Sequence, residues 1–351
     1  MEKIKKLFKV IIVLTVFTAS HAQDIIEEKK IKPSFNISGT IDTYMRHNFS
    51  SDKIAAPATS FANLPGFALG MANLIISYEG EKSGFVADLV YGPRGAEAVF
   101  NSKGSSNLIN QMYVYLNINQ KAKISMGNFN TFLGYEMISP TLNFNYSTSY
   151  MFSFGPFSHT GIKVDYTLSK NSSLMVGILN PSDWTEDNRS YDDKGKLSSV
   201  GRYWLGLQLG FSGQYLNYLG GQGYSQIDFT GGFNLTESFF LGINATSATN
   251  IVSDGGFLGF ALYPQLTLSD SFSLGLRGEI FSDKNDFIGV FGVKSGDAEN
   301  ASITLTGSYT SGNMILKPEI RIDSASEKIF IANLNASNNL ASFVIAAIYS
   351  F

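Results

Sequence analysis

Lys317, Glu319, Arg321 and Asp323 stand at every second position of the run ILKPEIRID, with Pro318, Ile320 and Ile322 between them and Leu316 just before. Alternate residues of a strand point to opposite faces, so this spacing builds one charged edge and one apolar edge. Such an edge can meet ions or polar solutes, but it holds no nucleophile. Covalent catalysis needs a nucleophile with a base in hydrogen-bond reach. His47 and His159, the histidines beyond the N-terminal segment, sit in no motif that supplies such a partner, and the chain has no Cys. Neither a Gly-rich phosphate loop nor a zinc spacing is present. The run DWTEDNRSYDDKG, residues 183–195, gathers Asp183, Glu186, Asp187, Asp192 and Asp193, oxygen ligands of the kind Ca²⁺ or Mg²⁺ takes. Its spacing does not match an EF-hand loop, and a solvated acidic surface loop is the simpler reading. No cofactor is implied and no enzymatic activity is expected.

A charged edge backed by an apolar one belongs between two solvents, and the composition agrees. Among 351 residues there are 34 Gly, 13% are aromatic and only 16% are charged, a mixture of strand formers and turn residues. Mean hydropathy is near zero. A membrane barrel gives that average, because each strand shows lipid one face and water the other. Residues 1–22 read as a secretory signal: Lys3, Lys5, Lys6 and Lys9, then an apolar stretch from Val10 to Phe17, then Ser20-His21-Ala22 as a cleavage site. The apolar stretch is too short to stay as a membrane helix, and no later segment is long enough to cross as one. Residues 23–33 form a short periplasmic lead, and 34–351 remain for one domain. The chain is mildly acidic at formal charge −3, and loss of the signal lysines makes it more so. A basic nucleic-acid footprint is therefore absent.

From Ser34 onward the same unit recurs: about ten alternating residues, a tight turn, about ten more, then a longer loop. Sixteen such strands are expected. The first, Ser34 to His47, puts Phe35, Ile37, Ile41 and Met45 on one face and Asp42, Tyr44 and Arg46 on the other. Tight turns fall at 81–83, 119–121, 170–171, 212–213, 236–237, 270 and 311–312. Longer loops are expected near 48–69, 93–107, 132–159, 180–201, 221–224, 247–256, 282–300 and 324–339. Short turns on one rim and longer loops on the other describe a transmembrane antiparallel up-and-down β-barrel, with both termini on the short-turn side. A soluble β-sandwich also alternates, but its strands cluster near five or six residues. Pro264 and Pro318 fall on the lipid face and each lacks a ladder donor, which calls for a bulge or a local slip of register.

In a barrel of this size the lumen is too wide for side chains to fill. Asp42, Arg46, Asp88, Lys123, Lys163, Asp165, Asp228, Arg277, Glu279, Lys317, Glu319, Arg321 and Asp323 share the polar face and are expected to line a wet pore. Charges turned outward would cost roughly 2–4 kcal/mol each near the bilayer midplane for Lys or Arg. The long aromatic loop 132–158 is expected to fold inward, with Tyr135 and Glu136 at a constriction. The chain ends LASFVIAAIYSF, with Tyr349 and Phe351 on the lipid face. That ending resembles the C-terminal signal read by the barrel assembly machinery.

The run MGNFNTFLGYE, then NFNYSTSYMFSFGPFSHTGIKVDY and LMVGILN, resembles the OmpL-like β-barrel porin family common in Bacteroidetes. KPEIRID and the terminal Phe support the likeness, which is specific over roughly residues 122–181. The resemblance implies an outer-membrane porin of a Gram-negative bacterium that passes small hydrophilic solutes passively. The partners implied are outer-membrane lipid and those solutes. General porins are often trimers, but no interface signal stands out in the sequence. The alternative is a structural or adhesive barrel whose surface loops bind a partner.

Overall fold

Strand formers alternating with polar residues, cut by Gly, Asn and Ser turns, leave each segment with one face for oil. Without water to satisfy backbone groups, such strands must close on themselves. The computed structural model describes residues 32–49, 59–102, 104–186, 203–332 and 335–351. The signal reading of residues 1–22 and most of the 23–33 lead lie outside them. Along the chain the strands are β1 (Ser34–Asn48), β2 (Gly66–Glu79), β3 (Ser83–Tyr91), β4 (Ile109–Asn117), β5 (Ala122–Asn130) and β6 (Ser158–Ser169). There follow β7 (Ser172–Leu179), β8 (Trp204–Phe211), β9 (Gln214–Gly221), β10 (Tyr224–Asn234), β11 (Phe239–Asn250) and β12 (Gly255–Ser269). The last are β13 (Phe272–Lys284), β14 (Asp297–Ser311), β15 (Met314–Ala325), a small hairpin of β16 (Phe330–Ala332) and β17 (Asn335–Ser337), and β18 (Asn339–Ser350). Helices α1 (Pro93–Ala98) and α2 (Tyr150–Phe154) lie in loops, and among the described residues no helix is long and apolar enough to cross a bilayer.

Sixteen of these strands, β1 to β15 and β18, form a closed antiparallel barrel in which each pairs with its chain neighbours. The seam joins β1 to β18, with Thr40 opposite Ser350 and Asn48 opposite Ser342. The chain's last residue completes it: Gly39 and Phe351 exchange two backbone hydrogen bonds of 3.1 Å.

Parity of the strands follows the two-solvent argument. On β15 Ile320 and Ile322 are 46% and 53% exposed, while Arg321 between them is 1% exposed. Next to the short turns the outer face carries aromatic rings, with Phe35 opposite Tyr78 and Tyr78 opposite Phe85. Tyr166, Phe211, Tyr309 and Tyr349 continue this belt, the position where amphipathic rings meet lipid headgroups.

Three expectations need correcting. The connection near 221–224 is not a long loop but a two-residue turn, Gln222 and Gly223, both at positive φ (52° and 85°). That is the backbone a tight I′ hairpin requires. Similarly, β11 and β12 run through most of 247–256 and leave only 251–254 as a turn. The outer rim is therefore low over β9 to β12. Finally, neither proline makes a bulge or a slip. Leu262 pairs with Gly278 and Gln265 with Gly275, so the register holds across Pro264 while the ladder skips two residues. At Pro318 the β14 ladder passes from Leu316–Tyr309 to Glu319–Thr306, and the β18 side stays paired. Each proline costs a ladder bond on one neighbour only. The register shifts lie elsewhere, as at Ile41/Thr43 and Thr267/Ser269.

Candidate functional site

Residues 131–157 leave β5, descend into the barrel and return to β6. A loop buried in a lumen must find partners for its irregular backbone, and the alternating charges of β13 and β15 supply them. Lys317 donates to the carbonyls of Pro140 (3.0 Å) and Asn143. Glu319, two residues on, accepts the N–H groups of Tyr146 (2.8 Å) and Ser147 (3.2 Å) and the Ser147 hydroxyl. Arg321 donates to the carbonyl of Thr148 (2.6 Å) and pairs with Asp323 (2.8 Å). On β13, Arg277 bonds Glu136 and the carbonyl of Ser147, both at 2.6 Å, and Glu279 accepts from Tyr150 (3.0 Å) and Met151 (2.9 Å). The cations take carbonyls and the carboxylates take N–H groups. Charge-assisted bonds of this kind are roughly twice as strong as neutral ones.

Both ends of the loop are held as well. Asp228 on β10 accepts the N–H of Gly134 at 2.9 Å, and Asp183 accepts those of Phe157 (2.7 Å) and Ser158 (2.9 Å). Within the loop the Ser149 hydroxyl caps α2 by accepting the Phe152 N–H at 3.0 Å. Past β18, at the next strand of the wall, the Tyr146 hydroxyl donates to Asp42 on β1. Arg94, at the start of α1, bonds the carbonyl of Ile138 at 2.9 Å.

Glycines on the inner wall receive the loop's larger side chains. A Cβ on Gly275 would stand 2.3 Å from Phe144, one on Gly259 2.2 Å from Met151, and one on Gly242 2.5 Å from Tyr135. Gly206 on β8 meets Phe132 in the same way. These positions need empty space rather than a special φ. Sequence reasoning did not single them out, although Gly at inward positions of otherwise long strands was a readable signal.

This arrangement corrects the wet-pore expectation. Asp42, Arg46, Asp88, Asp228, Arg277, Glu279, Lys317, Glu319, Arg321 and Asp323 do point inward, but all are buried beneath loops or within polar networks. Arg46 bonds Ser342 (2.6 Å) and the carbonyl of Ala62, and Asp88 accepts from Asn73 and Asn110. Parity located these charges correctly in space, but the loop took the place of water. Lys123, Lys163 and Asp165 keep contact with solvent, the last two as a 3.0 Å ion pair. Tyr135 and Glu136 separate: Tyr135 lines the remaining cavity, while Glu136 is turned into the wall against Arg277. The interior is also greasier than expected, since Tyr146 packs with Tyr44, Val344, Ala346 and Ile348 inside the seam.

A cavity of about 550 Å³ lies between the head of the loop and strands β5, β6 and β8 to β11. Phe132, Tyr135, Lys163, Gln208, Tyr215 and Phe240 are among the residues on its walls. His159 sits behind this wall, fully buried, with Nε2 3.0 Å from the Thr131 hydroxyl and its ring 4.9 Å from that of Phe132. Those contacts anchor the loop's first turn and hold no acid in reach. Asp183 is likewise a loop anchor rather than part of a solvated acidic surface. Residues 187–195 of that acidic run lie outside the described residues, and among the described residues no group of three acidic, His or Cys side chains could hold a metal. Burial pushes the Asp183 carboxyl up to about 6 against the pull of its two N–H donors, and pushes the Tyr135 hydroxyl up to about 12. Burial also raises Glu97, which accepts the N–H of Phe61.

Comparison with known proteins places this geometry. A family model described as "Putative beta-barrel porin-2, OmpL-like" matches residues 34–351. Among solved structures, the anion-selective porin from Comamonas acidovorans superposes with a TM-score of 0.61 at 12% identity, covering 91% of this chain and 100% of that one. Outer-membrane expressed OmpT of Vibrio cholerae gives a TM-score of 0.55 at 12% identity, covering 93% and 100%. At such identity the likeness speaks for the fold alone. A comparison with curated proteins found no match.

Proposed function

This chain belongs to the OmpL-like β-barrel porin family, whose model spans residues 34–351, and from that premise we propose that it is an outer-membrane pore for passive diffusion of small hydrophilic solutes. One observation carries the reading beyond the family. The lumenal loop is clamped chiefly by β13 and β15 but is also bonded to β8, β10 and α1, so it narrows the lumen across its width, and a cavity of about 550 Å³ stays open between its first residues and the wall.

The passage has little net charge, since Lys163 is paired with Asp165. Purified protein in a planar bilayer is therefore expected to give discrete current steps with weak preference between K⁺ and Cl⁻. A silent bilayer would favour the structural or adhesive barrel instead.

Export and assembly belong to the same proposal. The mature chain begins at Gln23, which N-terminal sequencing of outer-membrane material checks. Phe351 is the residue read during assembly, and it also closes the seam onto Gly39. Its deletion should lower the amount of heat-modifiable, folded barrel in the outer membrane, and an unchanged amount would remove the role.

A further inference from the structure

We propose that the lumenal cavity is a binding site for neutral saccharides, so that the pore takes sugars in preference to ions or peptides; this rests on the diffusion-pore reading above. Phe132, Tyr135, Tyr215 and Phe240 all border the cavity. Between these rings the wall is amide and hydroxyl rather than charge, with Asn130, Gln208 and Thr230 on it, and the Phe240 ring lies in the space that Gly232 leaves. A pyranose ring has matching chemistry. Its C–H face is apolar and stacks on an aromatic ring, while the hydroxyls around its edge exchange hydrogen bonds with amides and hydroxyls. Aromatic side chains combine large contact area with little flexibility, and binding pockets pair such apolar walls with a few placed polar groups. The volume falls within the roughly 300–1,000 Å³ of small-molecule sites.

Charge argues against the competing solutes. Lys163 is the cation on this wall, and its ammonium is held 3.0 Å from Asp165. An anion would have to displace that carboxylate, and a zwitterionic peptide would have to break the same ion pair to place either end. The charged side chains that might have served, on β13 and β15, are already occupied by the loop backbone. Above the cavity Leu133, Leu179 and Leu219 are buried together, with Trp204 and Tyr224 packed against them. Trp204 at the start of β8 stacks on Tyr224 at the start of β10 with centroids 5.0 Å apart, and Tyr224 stacks on Phe287 in the loop after β13 at 6.4 Å. These rings stand at the outer mouth, over strands where the rim is low.

The test is current block. Mature protein in a planar bilayer is exposed in turn to maltohexaose, cellobiose, glycylglycine and gluconate. Reversible, concentration-dependent block by the sugars is expected, with the peptide and the anion weak or inert. Tyr215→Ala with Phe240→Ala should weaken the block about tenfold, by removing both stacking faces. Tyr215→Phe should keep the block, because the ring face and not the hydroxyl carries the contact. Steady current that sugars leave untouched, or that glycylglycine or gluconate blocks better, would overturn the saccharide assignment and leave the pore standing. If no current appears, the pore reading fails by itself. Calorimetry of maltohexaose against detergent-solubilised protein then decides the site, with saturable heat supporting it and none refuting it.

Discussion

Arg277→Ala is expected to release the lumenal loop and raise single-channel conductance. Arg277 is fully buried and donates to Glu136, to the Ser147 carbonyl and to Thr304. Without it, Glu136 is left buried with no counter-charge, and Glu279 and Glu319 lose the cation that stands near both. Removing one partner of a buried ion pair costs about 3–5 kcal/mol, so the seated arrangement should weaken by at least about a hundredfold relative to a released one. The barrel itself is not at risk. Its ladder does not depend on this side chain, and the abandoned carboxylates would be hydrated in a wider lumen. Proteolysis from outside should then cut within residues 131–157, and the same substitution in a chain lacking residues 132–156 should add nothing further. Unchanged conductance together with an uncut loop would show that the clamp is not what narrows the tube.

Gly242→Val should do the reverse and lower the conductance. Gly242 is the space in which the Tyr135 ring lies, stacked on Tyr263 with centroids 4.2 Å apart. A branched side chain there leaves the ring no room at the wall. Overpacking of this kind costs about 1–3 kcal/mol, less than the loop's remaining clamps hold, so the ring should turn into the cavity while the loop stays seated. Adding Tyr135→Ala should restore the current. If the single substitution instead raised conductance, the loop would be held more weakly than its hydrogen bonds imply.

How much of this could be read from the chain alone depends on the distance over which each feature is decided. Strand parity is local. Ile320 and Arg321 differ in fate because they are neighbours on a pleated strand, and the apolar pattern of the other strands repeats that lesson. The loop's inward course was also suggested by its length and aromatic content. Its seat was not legible. Arg277 and Glu136 are 141 residues apart, and nothing in either neighbourhood names the other. Two signals were nonetheless present. Inward positions of β13 and β15 alternate in sign, whereas those of β14 between them are Ser302, Thr304 and Thr306. A passage needing only hydration has no reason to concentrate charge on two strands, but a polypeptide backbone needs donors and acceptors in turn. The Gly residues at inward sites of β8, β11, β12 and β13 were the second signal, since only something packed against them rewards the missing side chain. The low outer rim at β9 to β12 was misjudged because Gln222 at positive φ gives a two-residue turn where the alternation of short and long connections suggested a loop.

The meeting of the first and last strands ties the tube's closure to its bore. Tyr146 from the loop braces that joint from within, against Tyr44 on β1 and Val344, Ala346 and Ile348 on β18, and its hydroxyl reaches Asp42. The docked loop thus braces the joint without making it, and a breathing joint would loosen the constriction. Amide hydrogen exchange along Thr40 to Asn48 should accelerate in any variant that unseats the loop, and equal protection there would separate the two.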